Sequence, residues 1–449
     1  PLLTVRKIHV DAKGETTVFG IKALRQAMDL TADTEEYPME HQYFRPPDPL
    51  CSRLLIIAFS FLASLIIEPL SATDLNPAQK TLLDQAADYS STNSGRAVLV
   101  LHHGELVYER YDNGWSHSRP HMLASGTKSF TGVIAMLAVQ DGLLELDERA
   151  CETLTEWMED PRKSKITIRH LLTLSSGLHP GNAAFPNRRQ TGNNPNPLLQ
   201  QRQERIARQD TNEGLKELAT GNWFQDSLRV PAKQEAGSAF EYGPSHYYAF
   251  GELLNRKLAS RDGLGYKSFE QYARNRLFEP LNLEIGVWTK DPAGNVNVPG
   301  GMFLTAREWA KFGQFVLDRG QANQSDGTKT QILQPELLAE CFVPSATNPS
   351  YGLTWWLNGN SDVADTGLSA PGVRDTIRKR ALNQEAEVEI NIAGKQLQVW
   401  MAAGLGKQRL FIIPAQQLVV VRFAEPSVEG RRFQNDEFLK PIVAAFSSE

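Results

Sequence analysis

Apolar segments of strand length lie toward the two ends of this 449-residue chain, and helical periods fill the middle. Ala97 to Leu101 and Leu106 to Tyr111 flank the turn-forming His102-His103-Gly104-Glu105 and read as a hairpin. In the last third, Glu387 to Ile392, Gln396 to Met401, Leu410 to Ile413 and Leu418 to Phe423 read as strands, with Tyr351 to Trp356 as an earlier one. An amphipathic helix is expected over Pro77 to Tyr89, with others over Phe269 to Leu277, Ala306 to Leu317 and Asp436 to Phe446. Such a distribution points to an α+β fold. Its antiparallel sheet is formed by N- and C-terminal strands, is flanked by helices, and leaves a mainly helical middle region.

The stretch richest in chemistry follows the first hairpin: Leu123-Ala124-Ser125-Gly126-Thr127-Lys128-Ser129-Phe130. Ser125 and Lys128 are three residues apart, so on a helical segment they share a face. A serine hydroxyl is a weak nucleophile at neutral pH and needs a neighbour to take its proton, which a lysine does when held neutral. A helix start also offers N–H groups and a positive dipole end to a developing oxyanion. The S-x-x-K spacing alone is weak, with roughly one chance match expected in a chain this long. Its context strengthens it, because an apolar run from Phe130 to Val139 follows and stops at Asp141-Gly142. The plainer alternative is a capped, buried helix with a solvated lysine.

Bulk properties narrow the partners. A net charge of −5 gives no basis for nucleic acid or an anionic membrane surface as a partner. Cys51, Cys151 and Cys341 follow no metal-ligand spacing, and Cys151 and Cys341 are expected as two buried thiols, with a disulfide as the alternative in an exported protein. No metal or organic cofactor is expected. The adjacent His102 and His103 would face opposite sides of a strand and cannot easily share an ion.

Leu54 to Ile67 is an uncharged apolar run, short for a membrane span and of the length of a signal-peptide core, with small residues at Ser71 and Ala72 beyond it. Residues 54–72 are therefore expected to be a signal peptide core and cleavage site in an exported protein, with Met39 as the start and residues 1–38 as read-through or a fragment artefact. The alternative is a membrane anchor formed by 54–67, the one expected route to a membrane. Residues 1–53 read as a poorly structured extension, containing a short amphipathic patch at Ile21 to Leu30.

Three further segments matter. Thr167 is placed to cap a short helix running to Gly177, and His170 within it reads as a packed residue. Residues 179–222, rich in Asn, Gln, Arg, Pro and Gly, read as an excursion that shapes a pocket. Tyr242 precedes Gly243-Pro244 and an apolar helix starting after Ser245, so its phenol is set at a loop tip beside a helix start.

Four stretches together resemble one family, the serine β-lactamase-like hydrolases related to class C β-lactamases and D-Ala-D-Ala peptidases. Ser125-Gly126-Thr127-Lys128 matches its S-x-x-K, Ile166 to Leu178 its I-T-I-R-H-L-L segment, Gly237 to Gly251 its F-x-Y-S-N stretch, and Gly300 to Gly313 its G-G-L-x-S-T-A segment. Trp400 to Gln408, followed by Arg409 to Pro414, is similar to the last catalytic strand and turn of the esterase and 6-aminohexanoate-dimer hydrolase branch. The resemblance spans residues 75–447. It implies Ser125 as nucleophile, Lys128 and Tyr242 as its proton-handling partners, and Ala403, Gly404 and Leu405 as the third motif. The oxyanion would be held by the N–H groups of Ser125 and Leu405.

Two departures bear on substrate. The family's Tyr-Ser-Asn is Tyr242-Gly243-Pro244, and its Lys- or His-Thr-Gly is Ala402-Ala403-Gly404. The second removes an ionic contact to a substrate carboxylate, on the order of a few kcal/mol in a desolvated site. The resemblance therefore implies a hydrolase of small esters or amides. The rivals are a catalytically idle binding or scaffold protein with the same fold, and a true β-lactamase or D-Ala-D-Ala carboxypeptidase.

Overall fold

The computed structural model describes residues 8–10, 16–18, 75–181, 219–324, 327–358, 391–392, 395–427 and 433–447. The chain divides into two units, residues 1–70 and 71–449. Within the first, Ile8–Val10 and Thr16–Val18 form a two-stranded antiparallel ladder. Expectations for Ile21 to Leu30, for Cys51 and for the apolar run 54–67 fall outside the described residues. None of the described helices is long and apolar enough to cross a membrane.

The second unit opens with helix α1 (Pro77–Thr92), whose N-terminus is closed by a capping box between Asn76 and Gln79. Strands β1 (Gly95–His102) and β2 (Glu105–Tyr111) follow as the expected hairpin. The short strand β3 (His121–Met122) comes next, and then helix α2 (Lys128–Gln140). The middle is helical: α3 (Ile168–Leu172), α4 (Trp223–Arg229) and α5 (Ser245–Ala259). Strands β4 (Val287–Trp288) and β5 (Met302–Leu304) join β3 in a small three-stranded sheet ordered β3-β5-β4. Helix α6 (Ala306–Leu317) covers the span expected for it and is capped by Thr305. The C-terminal part supplies β6 (Trp356–Leu357), β7 (Trp400–Gly404), β8 (Gln408–Ile413), β9 (Leu418–Ala424) and helix α7 (Asn435–Ala445).

The main sheet has six strands in the order β6-β7-β8-β9-β1-β2, each pair antiparallel. The chain's late strand β9 thus lies beside its early strand β1, and the sheet gathers both ends of the domain. This is the α+β, β-lactamase/transpeptidase-like arrangement expected from the sequence. Both faces are covered, which explains why consecutive residues of β8 and β9 are apolar, from Leu410 to Ile413 and from Leu418 to Val421. On one face, α6 meets β8 and β9, with Trp309 stacked on Phe423 at 5.6 Å. Across that layer Phe130 of α2 stacks on Phe312 of α6 at 3.8 Å. On the other face α7 carries Phe438 to within 6.2 Å of Phe411.

Some expected boundaries move. The helix capped by Thr167 ends at Leu172 and does not run to Gly177. Leu174 adopts φ +58°, and the chain then extends to bridge Leu178 with Ala232. The strand expected over Tyr351 to Trp356 shrinks to Trp356–Leu357, because Thr354 at φ +69° folds the segment into a tight loop that bridges Tyr351 with Trp356. The strand expected over Gln396 to Met401 lies later, at Trp400–Gly404, since the turn before Gln408 fixes its register against β8. Residues 395–396 pair instead with 391–392. The helix over Phe269 to Leu277 is α-helical only to Ala273 and continues as a π turn. Cys151 and Cys341 are unpaired, buried thiols.

Candidate active site

Ser125 sits in a 3₁₀ turn, Ala124–Thr127, that runs directly into α2 at Lys128. Residues three apart eclipse one another in a 3₁₀ turn, so the lysine is brought over the serine. Lys128 Nζ donates to Ser125 Oγ at 3.0 Å and to the Pro299 carbonyl oxygen at 2.8 Å. The lysine is buried, at 5% exposure, while Ser125 is half-buried.

The turn is held in an unusual backbone shape. Ala124, just before the serine, has φ +49°, a left-handed conformation that costs an L-residue about 1–2 kcal/mol. Three bonds hold it: Leu123 N–H to Met302 O at 2.9 Å, Gly126 N–H to Leu123 O at 3.0 Å, and Thr127 Oγ to Ala124 O at 2.8 Å. No local sequence signal marks Ala124 for this conformation.

Tyr242 reaches the same place from the loop before α5. Its ring stacks on Trp356 with centroids 5.8 Å apart, and Lys128 Nζ lies 5.0 Å from the ring centroid. A second ring, that of Tyr247 one turn into α5, lies 5.4 Å from the same nitrogen. Its hydroxyl bonds that of Tyr351 at 2.8 Å, and burial pushes both phenols well above the ordinary tyrosine value. Behind them His246 is fully buried, with Nδ1 hydrogen-bonded to Ser176 Oγ at 2.8 Å. Burial, helped by the nearby Lys128 charge, pushes its pKa down to about 4, so the imidazole is neutral. Pro244 occupies the position before α5, its carbonyl accepting from the Tyr247 and Tyr248 N–H groups at 3.1 and 3.2 Å.

The third stretch comes from the sheet. Strand β7 passes against the serine turn, with Gly404 packed on the Leu123 carbonyl. Ala402 and Ala403 are buried at 0% and 4% exposure, and Leu405 begins the turn to β8. The structure thus brings Ser125, Lys128 and Tyr242 together and places Ala403 and Gly404 at the end of β7, with Leu405 first in the turn that follows. His170 is elsewhere, closing the α3 capping box by accepting the Thr167 N–H at 3.2 Å. His102 packs on Phe446 at 4.2 Å, and no metal-binding cluster of His, Cys, Asp or Glu occurs among the described residues.

Pro299, Tyr247 and His246 are site neighbours that local pattern reading misses. Pro299 precedes the Gly300-Gly301 pair that the resemblance already marks, and a Gly-Gly pair beside a proline is a signal of close backbone approach.

Comparisons with known proteins bear on the family and the fold. An Aspergillus terreus protein, monacolin J acid methylbutanoyltransferase, is 29% identical over 179 residues, covering 36% of this chain and 37% of that protein. The match therefore reaches little more than a third of either chain. Among solved structures, EstCE1, a hydrolase with promiscuous acyltransferase activity, superposes with a TM-score of 0.55 at 15% identity, covering 83% of this chain and all of the other. A penicillin-binding protein from Bacillus halodurans gives a TM-score of 0.51 at 14% identity over 81% of this chain and all of its own. A Bacillus anthracis protein provisionally identified as a 6-aminohexanoate-dimer hydrolase gives 0.50 at 19% identity over 80% of both chains. These similarities speak to fold. The family model described as Beta-lactamase matches residues 83–442, and by that match the chain belongs to the Beta-lactamase family.

Proposed function

We propose that the protein is a serine hydrolase of small, uncharged esters that works through a covalent acyl-enzyme on Ser125. The observation that carries this reading is the buried Lys128 Nζ at 3.0 Å from Ser125 Oγ, with the Tyr242 ring 5.0 Å from the same nitrogen. A lysine accepts a proton only in its neutral form, which this reading requires Lys128 to reach beside the serine. In the proposed sequence Ser125 Oγ gives its proton to the Lys128–Tyr242 pair and bonds to the acyl carbon. The oxyanion lies on the N–H groups of Ser125 and Leu405. The leaving alcohol takes its proton from the pair, which then draws one from water to break the acyl bond. The formal base belongs to the pair as a unit.

Ester over β-lactam preference rests on the two departures. Ala402 and Ala403 supply no cation for a substrate carboxylate, and Pro244 supplies no amide for an acylamino side chain. An amide, with its poorer leaving group, depends more on such positioning than an activated ester does. The names of the two similar proteins that transfer acyl groups favour a second reading, in which an alcohol replaces water as acceptor.

The test compares turnover of p-nitrophenyl acetate and nitrocefin at equal concentration, with mass analysis of the peptide labelled by a fluorophosphonate. Ester turnover with the label on Ser125 is expected. Faster nitrocefin turnover would place the protein with the true β-lactamases, and absence of both label and turnover would favour an idle scaffold. Added methanol or butanol, with product ratios measured, separates transfer from hydrolysis.

A further inference from the structure

Two arginines lie side by side inside the main sheet. Arg409 of β8 and Arg422 of β9 are register partners, and both are 0% exposed. Like charges opposite one another in a sheet are unfavourable, and apolar residues would fill these places at lower cost. Their hydrogen bonds indicate what they hold. Arg409 Nη1 donates to the Gly404 carbonyl oxygen at 3.3 Å and to that of Gln408 at 2.9 Å. Arg422 Nη1 donates to the Lys407 carbonyl oxygen at 2.9 Å. Between them Gln408 Nε2 donates to the Leu405 carbonyl oxygen at 3.2 Å. Three carbonyls of the turn from Gly404 to Lys407 are thus taken by side chains buried in or beside the sheet.

The direction of one of these bonds has a chemical consequence. In a trans peptide the C=O and the N–H of the following residue point to opposite sides. With the Gly404 carbonyl drawn toward Arg409, the Leu405 N–H points away from Arg409. A positive donor on a peptide oxygen also polarises the group and strengthens its N–H as a donor. We infer that Arg409 is a positioning residue for the acyl transfer, orienting and polarising the Gly404–Leu405 peptide so that the Leu405 N–H receives the oxyanion. It touches no substrate and acts only through that peptide. The inference rests on the serine hydrolase reading above. Asn435 Oδ1 accepts from Arg409 Nε at 3.1 Å and steadies the guanidinium from the start of α7.

The experiment is Arg409→Met, with each preparation normalised by fluorophosphonate titration so that misfolded protein is not counted. For p-nitrophenyl acetate, kcat per titrated site is expected to fall about 10- to 100-fold with KM within threefold, as for a weakened oxyanion donor. The Ki of phenylboronic acid, which forms a tetrahedral adduct on the serine, should rise by the same factor, while inhibition by product acetate changes less than twofold. In infrared difference spectra the acyl-enzyme carbonyl band should move to higher frequency. If Arg409→Met does not fold, Asn435→Ala loosens the same guanidinium from another element and should shift the same readouts in the same direction, by a smaller factor. A kcat per titrated site and a boronate Ki both within threefold of wild type would overturn the inference. A wild-type protein that takes no label overturns the hydrolase reading instead.

Discussion

Gly404 lies so close to Leu123 that a Cβ at position 404 would fall 2.0 Å from the Leu123 carbonyl oxygen. The two residues are far apart in sequence, one at the end of β7 and one at the base of the serine turn. Their approach sets β7 beside Ser125. Gly404→Ala must push the strand and turn apart, and overpacking of this kind costs about 1–3 kcal/mol. A lower melting temperature and a loss of ester turnover are expected together. A variant with wild-type melting and turnover would mean the strand has room to give.

Ser125→Ala removes one half-buried hydroxyl and should shift the melting temperature by no more than about 3 °C. Covalent labelling and turnover should both vanish. Turnover within about tenfold of wild type would refute the nucleophile assignment.

Lys128→Met keeps the buried stem while deleting the amine that bonds Ser125 Oγ and the Pro299 carbonyl. A loss of kcat of about a hundredfold or more is expected, in the range of a lost general base. A change below fivefold would show that another group activates the serine.

Tyr242→Phe retains the ring stacked on Trp356 and the face presented to Lys128, and removes only the hydroxyl. Stability should hold while kcat drops by about 10²-fold. Unaltered kcat would reduce Tyr242 to a packing residue.

His246 gives a pH signature for the fold. Its pKa is pushed from 6.5 in the open chain to about 4 in the buried site, so the unfolded chain binds the extra proton first as pH falls. The stabilising contribution is therefore complete above pH 6.5 and is lost as pH falls toward 4. His246→Asn should be less stable at pH 8 and should show a shallower decline in melting temperature between pH 6.5 and 4. Parallel declines in the two proteins would contradict this assignment.

Much of the fold was legible because local periods suffice for it. The short apolar, β-branched runs in Leu418 to Phe423 and in Ala97 to Leu101 mark strands wherever they lie, and Thr305 with its amphipathic run marks α6 to the residue. The pairing of Ser125 with Lys128 was equally local, since a spacing of three puts two side chains over one another on any helical turn. Where the sequence reading erred, at Gly177, Tyr351 and Gln396, left-handed residues such as Leu174 and Thr354, or a ladder register set by a later turn, overrode local preference.

What only the tertiary structure decided is which distant groups meet at the serine. Nothing local in Tyr247 or His246 announces a place beside Lys128, because packing of α5 brings both there, and Pro299 reaches the same amine from a separate segment. The left-handed Ala124 is likewise imposed by its carbonyl's bond from Thr127 Oγ and by the bond of the neighbouring Leu123 N–H to Met302 O, against its own preference. Arg409 and Arg422 stand out in the sequence only as charges interrupting apolar strands. That they turn inward onto the carbonyls of the β7–β8 hairpin follows from the register between β8 and β9 and from the helices that seal that face. Periodicity specifies which side of a strand a residue takes. The partner waiting on that side is fixed by the fold, since it depends on contacts between segments hundreds of residues apart.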